Sequence, residues 1–547
     1  MRNRVTGDSL TVHAIAGTHV VLLGFDLPQA SAKGLLGFAI QRWDPVERER
    51  YWLRGMRVFE ATSQGIPPGS TASLLEHPVQ SFLWGDYTAK PGRSYEYRVV
   101  ALHGKPKNLE IRQDVTVAVT TESVDEGAHA VHFNRGVAGS QAYIAKFGDR
   151  QPLEDDRADP AYDWLSRGLE EALLAFIGTA TGDGFALRGS VYEFAYPPVL
   201  DALAAAADRG VDVRIVYDRR GPASTDPKRP KVWQVSEPAI EAAGLGPRMI
   251  PRTTNSAISH NKFLVLLRDG TPQAVWTGST NITWGGIFGQ SNVGHLVRDP
   301  ETAAHYLDYW ERLAADPDYD AIRPADTTAS PTPASPPAAG ISPVFSPRDN
   351  LDLIDWYAAQ AARAEKSFFM TAAFGVHDKI AGAIAPESDV LRYLVLEKPP
   401  ASGGVRFDVD HDVKVAVGSF LRTNLDRWTQ ERLTGLNHNV LYSHTKYMLI
   451  DPLGDTPLVV TGSGNFSDAS VNKNDENMLV IQGDSRVADI YLGEFMRVFN
   501  HFYFRYLQEK IDDAHRRSTF YLAPDDSWVD RYYDPATPGF RQRLLFR

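Results

Sequence analysis

One polar motif occurs twice in this chain at a fixed spacing, and that duplication limits the fold more than any other feature. From Ser443 to Val480 the sequence reads SHTKYMLIDPLGDTPLVVTGSGNFSDASVNKNDENMLV, and from Ser259 to Val297 it reads SHNKFLVLLRDGTPQAVWTGSTNITWGGIFGQSNVGHLV. His260, Lys262, Gly278, Ser279 and Asn281 recur as His444, Lys446, Gly462, Ser463 and Asn465, every one displaced by 184 positions. With each residue type filling about one position in twenty, five such matches arise by chance on the order of once in ten thousand such chains. The repeat predicts two homologous units whose motifs face each other across one cleft.

The rest of the chain is organised around those units. At 547 residues it exceeds one compact domain, and roughly 150 residues per domain suggests three or four units. Residues 1–122 carry strand signals between turns such as KPGRS and GIPPGS and predict a β-sandwich. Within it, TAKPGRSYEYRVVALHG resembles a strand region of fibronectin type III domains, with Tyr95 and Tyr97 as core and corner residues. From residue 127 strands alternate with amphipathic helices, which means α/β layers. A Pro/Ala/Ser/Thr-rich linker is expected over 324–340, dividing a first α/β repeat, 127–323, from a second, 341–547. The aromatic residues Phe495, Phe499, Phe502, Phe504 and Tyr506 are expected in the core.

Hydrophobic residues at 43% and charged residues at 23% are ordinary for a globular chain. No apolar run reaches the roughly 18 residues of a membrane span. No signal peptide is recognised, and with no cysteine present a cytoplasmic setting is expected. The net charge of −11 disfavours a long nucleic-acid footprint without excluding a local basic groove.

Paired His, Lys, Ser and Asn suit transfer at a phosphodiester. Its five-coordinate transition state gathers negative charge on equatorial oxygens, which two lysines and two asparagines can surround. One histidine can attack phosphorus while the other protonates the leaving oxygen in line. The lysines supply positive charge, so neither metal nor cofactor is expected. His129, His132, His377, His411 and His438 lack metal-ligand spacing.

The paired motifs resemble the phospholipase D superfamily, whose signature is His-x-Lys, then after four residues Asp, then Gly-Ser-x-Asn or a close variant. His444, Lys446, Asp451, Gly462, Ser463 and Asn465 match it fully; in the first copy Leu267 replaces the Asp and Asp269 lies two residues late. Tyrosyl-DNA phosphodiesterases of the superfamily also lack that Asp. The resemblance implies two phospholipase D-type repeats forming a pseudo-dimer within one monomer, and a covalent phosphohistidine intermediate.

Further site residues are expected beside the motifs. Glu476 is expected to pair with His444, making His444 the protonated acid and His260 the neutral nucleophile; the reverse stays open, because ring orientation is not readable from sequence. Asp451 and Gln290 are assigned to structural support, and Ser279, Ser463, Trp284 and Glu193 to substrate binding, although a strand-end salt bridge is the stronger reading of Glu193. Trp284, Ile287 and Phe288 form either an apolar cleft rim or packing beneath the loop. The rim gives a slight lean towards a phospholipid substrate and peripheral membrane contact. The alternatives are a nuclease or nucleic-acid-end phosphodiesterase and, from another class, a catalytically silent phosphodiester binder; for the phospholipase D-like enzyme, hydrolysis and transfer to an alcohol both stay open.

Overall fold

The computed structural model describes residues 1–66, 70–153, 156–227, 229–254, 258–397, 413–417, 443–510 and 521–547, with the side chains of 141 and 504–510 outside the description. His411 and His438 lie outside the described residues, as do the side chains of Phe504 and Tyr506.

The N-terminal region contains β1 (Arg2–Thr6), β2 (Thr11–Ala16), β3 (Val21–Asp26), β4 (Leu35–Asp44), β5 (Glu49–Trp52), the short pair β6 (Arg54–Gly55) and β7 (Ala72–Ser73), β8 (Leu83–Asp86), β9 (Ser94–Lys105) and β10 (Asn108–Thr120). Two four-stranded sheets, ordered β1-β2-β3-β8 and β10-β9-β4-β5, share one apolar core. In β10 the residues Val115, Val117 and Val119 face that core while the intervening residues are exposed or half-exposed, the period of two that a half-buried strand requires. Tyr95 and Tyr97 are buried, and the Tyr95 hydroxyl accepts the Lys90 backbone N–H at 2.9 Å.

The first α/β unit contains β11 (His129–Phe133), β12 (Phe185–Val191), β13 (Asp212–Asp218), β14 (Met249–Arg252), β15 (Lys262–Arg268), β16 (Thr271–Gly278) and β17 (Val293–Val297). The second contains β18 (Gly340–Ser346), β19 (Ser367–Ala372), β20 (Leu391–Leu396), β21 (Val413–Val417), β22 (Tyr447–Ile450), β23 (Leu458–Gly462) and β24 (Glu476–Gln482). Their orders, β11-β17-β16-β15-β12-β13-β14 and β18-β24-β23-β22-β19-β20-β21, match strand for strand. The run Phe263–Leu267 is buried throughout, as a central strand covered on both faces must be. The stretch DWLSRGLEEALLAFIGTA lies on two helices, Pro160–Ser166 and Leu169–Gly178. Between them Arg167 and Gly168 adopt positive φ, 52° and 92°, where a helix cannot continue.

Two boundaries differ from expectation. The 324–340 run is not an unpacked spacer. The helix Tyr319–Ala329 occupies its start, Arg348 donates to the Ser330 carbonyl at 2.6 Å, and Trp356 donates to the Ala334 carbonyl at 2.9 Å. Donors from the second unit satisfy a backbone whose own side chains cannot. Residues 521–547, expected within the second repeat, pack on the N-terminal sheets as well as on the second unit, where Gln542 donates to the Tyr393 hydroxyl at 2.7 Å. Trp528 and Tyr532 lie against Phe82, because that sandwich offers the apolar aromatic face their rings require.

The tail also supplies a test. A Cβ built on Gly24 would lie 1.9 Å from the Phe546 carbonyl oxygen. Gly24→Ala is expected to displace the helix Pro538–Phe546 and cost about 1 to 3 kcal/mol, read as a lower melting temperature and faster proteolysis of the tail. An unchanged proteolysis pattern would contradict this docking.

The sandwich is seated on the second unit's helix Ser485–Lys510. Ile15, Val20 and Leu22 share a core cluster with Val487, Ile490 and Tyr491, and Arg2 pairs with Asp489 at 2.8 Å. Phe495, Phe499 and Phe502 are buried. Among the described residues no helix is long and apolar enough to cross a membrane.

Candidate active site

Each motif histidine stands directly ahead of a central strand, His260 before β15 and His444 before β22. The preceding serines reach across to the other unit, Ser259 bridging Asp475 and Ser443 bridging Ser291. The His260 N–H donates to the Asp475 carbonyl at 2.9 Å, and the His444 N–H to the Ser291 carbonyl at 3.1 Å. At the ends of β13 and β20, Asp218 and Glu397 accept the Ser259 and Ser443 N–H groups at 2.9 and 3.0 Å. This two-fold lacing brings the imidazole rings to 6.3 Å between centroids, at 74°. Two reactive contacts of about 3 to 3.5 Å each span such a gap.

The histidine partners cross between units and are unequal. His260 Nδ1 lies 2.9 Å from Glu476 Oε2. His444 Nδ1 lies 3.0 Å from the Ser279 carbonyl oxygen and 3.1 Å from Asn292 Oδ1. The expected pairing of Glu476 with His444 is therefore reversed. The strand that carries Glu476 follows its own motif but lies beside the opposite histidine, since Asp475 bridges Ser259. Asn292 is the counterpart of Glu476. Gln290 fixes its loop through the backbone, its N–H donating to Gly285 and its carbonyl accepting from Asn134 at 2.7 Å.

Both serine hydroxyls are used inside the protein rather than for substrate. Ser279 donates to Asn292 Oδ1 at 2.8 Å and Ser463 to Glu476 Oε2 at 2.6 Å, and each accepts a backbone N–H from the adjoining strand. They orient the groups that orient the histidines.

Burial controls the protonation states. It pushes His260 down to about 4, against the opposing pull of Glu476. It drives His444 well below its ordinary value, helped by Lys446 and Lys262. Burial raises Glu476, yet His260, Lys262 and the Ser463 hydroxyl outweigh it and hold the carboxyl below its usual range. With Glu476 ionised, His260 Nδ1 carries a proton; the carbonyl acceptor requires the same of His444. Both Nε2 atoms are then bare in the resting site.

The lysines fold back onto their own motifs, Lys262 Nζ donating to the His260 carbonyl and Lys446 Nζ to the His444 carbonyl, each at 2.6 Å. Burial lowers both, and the like charge of Lys262 lowers Lys446 further. Glu193 makes no strand-end salt bridge among the described residues. It is buried, accepts Asn281 Nδ2 at 2.6 Å, and is raised by burial against the pull of Lys262. Among the described residues Asn281 Oδ1, Asn465 Oδ1 and Glu193 Oε1 are buried without a hydrogen-bond partner.

Several expected residues fall elsewhere. Ile287 and Phe288 are 0% exposed, and Trp284 packs against Tyr162 and Tyr196 with ring centroids 4.9 Å apart in both pairs. Ile287 and Phe288 fill the space under the glycine-rich turn and Trp284 is half-buried beside them, so Ile287 and Phe288 contribute nothing to an apolar rim. Asp451 lies at the far end of β22, where its carboxylate accepts the N–H groups of Glu365, Lys366 and Ser367 at 2.8 Å each. In the first unit Asp269 makes a similar strand-end tie by backbone alone, its N–H donating to Gly184 at 2.6 Å. Among the described residues no cluster of three or more His, Cys, Asp or Glu side chains could hold a metal ion.

Two features lie outside the expected set. Tyr192 stands 5.2 Å from His260, ring to ring, with Lys262 Nζ 5.4 Å above it. Arg220 and Arg252 converge on Asp475 at 2.5 and 3.1 Å, fixing the residue whose carbonyl holds His260. No spacing rule marks them, since they come from other strand ends.

A family model described as "Cardiolipin synthase, PLD-like domain" matches residues 174–314 and 403–499. No curated protein matches the chain. Among solved structures, polyphosphate kinase from Porphyromonas gingivalis is similar at 12% identity over 58% of this chain and 46% of its own, TM-score 0.37. The match thus spans less than half of that enzyme. Phosphatidylserine synthase from Haemophilus influenzae is similar at 12% identity over 70% of this chain and 93% of its own, TM-score 0.40. Nuc, a phospholipase D family member from Salmonella typhimurium, is similar at 29% identity over 27% of this chain and 87% of its own, TM-score 0.21.

Proposed function

The chain belongs to the phospholipase D superfamily, and we propose that it cleaves a phosphodiester through a covalent phosphohistidine. The observation that carries this reading is the facing pair His260 and His444 with unequal partners, a carboxylate on one and neutral acceptors on the other.

His260 Nε2 attacks phosphorus. Forming the P–N bond builds positive charge on that ring, which ionised Glu476 at Nδ1 stabilises as it develops. Lys262 and Lys446, with the Asn281 and Asn465 side chains, surround the anionic phosphoryl oxygens. The P–O bond to the leaving group breaks, and that oxygen takes a proton from His444. A phosphodiester brings negative charge between the rings, which favours imidazolium at His444. In the second step His444 takes a proton from water, the water oxygen attacks phosphorus, and the P–N bond breaks to restore His260; an alcohol in place of water makes a transfer product. His260 is the nucleophile because the Glu476 carboxylate stabilises its cationic product.

With Ile287 and Phe288 buried, the apolar rim that favoured a phospholipid is gone, and the reading rests on the phosphodiester group common to lipid and nucleic acid. We read the N-terminal region as fibronectin type III-like. Its two sheets, β2-β3-β8 with β1 added and β10-β9-β4-β5, and the Tyr95 corner support that reading.

The pH dependence tests the roles. kcat/KM reports the free enzyme. A nitrophenyl diester needs neutral His260 and cationic lysines but little leaving-group protonation. Its kcat/KM is expected to hold steady from neutral pH down towards about 4, where His260 takes up a proton, and to fall on the alkaline side below the ordinary lysine range. An alkyl diester also needs His444 protonated, and His444 lies well below 6.5, so its kcat/KM is expected to fall with rising pH across the neutral range. Identical profiles for the two diesters would contradict the acid role, and no turnover of either would contradict the function.

A further inference from the structure

The acidic balance of the whole chain conceals one strongly basic cavity of about 760 Å³ where the N-terminal sheets, the first α/β unit and the helix Ser485–Lys510 meet. Arg42, Arg54 and Arg57 reach it from the N-terminal region, Arg135 and Arg167 from the first unit, and Arg497 from the helix. Asp86 answers Arg42 at 2.8 Å, and Glu494 answers Arg497 at 2.8 Å and also Arg167. Arg54 donates to the Thr71 hydroxyl at 3.0 Å and Arg57 to the Tyr521 carbonyl at 2.6 Å, so among the described residues two carboxylates answer Arg42, Arg167 and Arg497.

Arg135 stands out within the group. Its guanidinium lies 4.4 Å over the Trp164 ring and donates to the Trp164 carbonyl at 2.5 Å. Among the described residues it has no carboxylate partner. Burial, with Arg167 and Arg497 nearby, pushes it down to about 9. Concentrating cations in a partly desolvated cavity is unfavourable unless an anion joins them.

Ring faces accompany the charge. Tyr51, Trp84, Tyr87 and Trp164 line the same cavity, and Tyr51 is 37% exposed at its mouth. Guanidinium forks match phosphate oxygens, and aromatic faces stack on a flat heterocycle. The volume falls within the roughly 300 to 1,000 Å³ of sites that enclose small ligands. None of the residues proposed for catalysis lines it.

We infer that this cavity is a second binding site, for a phosphate group carried on a flat aromatic base, as a free nucleotide or as the end of a single nucleic-acid strand. The N-terminal region then supplies half of the site's arginines. Arg167 and Arg497 also hold the backbone carbonyls of Phe133 and Asn134 at 3.0 Å each, so substituting them would disturb the fold.

Calorimetric titration of the full chain with AMP, adenosine, ribose 5-phosphate and a short 5′-phosphorylated single strand tests the inference. AMP is expected to bind saturably, and adenosine and ribose 5-phosphate each about tenfold or more weakly, since each lacks one of the two recognised parts. Arg135→Ala and the exposed Arg54→Ala are each expected to weaken AMP about tenfold while turnover of a small nitrophenyl diester stays within about twofold. Because Arg54 is exposed, its variant keeps the test valid if Arg135→Ala misfolds. A strand that binds more tightly than AMP identifies a nucleic-acid end as the ligand; equal affinity identifies the free nucleotide. Absence of saturable AMP binding, affinity unchanged in both variants, or AMP acting purely as a competitor of the diester would overturn the site. Failure of diester turnover would count against the proposed catalysis alone, because the titrations do not depend on it.

Discussion

In the His260→Ala protein, neither turnover nor covalent labelling by any phosphodiester is expected, because of the two facing rings only His260 has a carboxylate at Nδ1 among the described residues. The His444→Ala protein is expected to behave differently. Loss of a general acid costs about a hundredfold to ten-thousandfold for an alkyl diester with a poor leaving group. A nitrophenyl diester leaves without that proton and still phosphorylates His260. The phosphohistidine then accumulates, since the water that clears it has lost its base. Acid quench followed by mass analysis separates these outcomes. Label trapped on His444 in the His260→Ala protein would reverse the assignment, and label in neither variant would remove the covalent route.

Glu476→Gln is expected to slow formation of the phosphohistidine itself. The glutamine keeps a polar contact to His260 Nδ1 but removes the charge that stabilises the ring as the P–N bond forms. A hydrogen bond to a charged group contributes roughly 1.5 to 3 kcal/mol, which corresponds to about a 10- to 150-fold slower labelling step. The loss is expected with nitrophenyl and alkyl diesters alike, because both require the same attack. Pre-steady-state labelling with the nitrophenyl ester is the decisive measurement. A variant that labels at the normal rate yet loses activity only on alkyl diesters would mean that Glu476 serves the acid, as the sequence alone had suggested.

That reversal shows where sequence reading stopped. Glu476 follows the second motif in the chain, and proximity in sequence suggested that it serves His444. The backbone bridges Ser259 to Asp475 and Ser443 to Ser291 carry each segment over to the opposite histidine. Subtracting the same 184 positions from Glu476 arrives at Asn292, the residue that reaches His444. Trp284, Ile287 and Phe288 were ambiguous for another reason, since a glycine-rich loop with aromatics reads alike whether the rings point out or underneath. Only the neighbouring Tyr162 and Tyr196 show that they point under.

The sequence by itself determined the duplication, the α/β character of both units, and which His, Lys and Asn side chains belong together, because a repeat at constant spacing compares residues of the same kind without knowledge of their surroundings. It also marked the strands of the N-terminal sandwich, whose alternation follows from one buried face. The tertiary structure alone decided which carboxylate meets which histidine, that the last residues return to the N-terminal sheets, and that six arginines from three parts of an acidic chain share one cavity. Those are relations between segments far apart in sequence. Local pattern is set by the backbone period and carries no record of them; they arise only when packing brings distant charges and rings within a few ångströms.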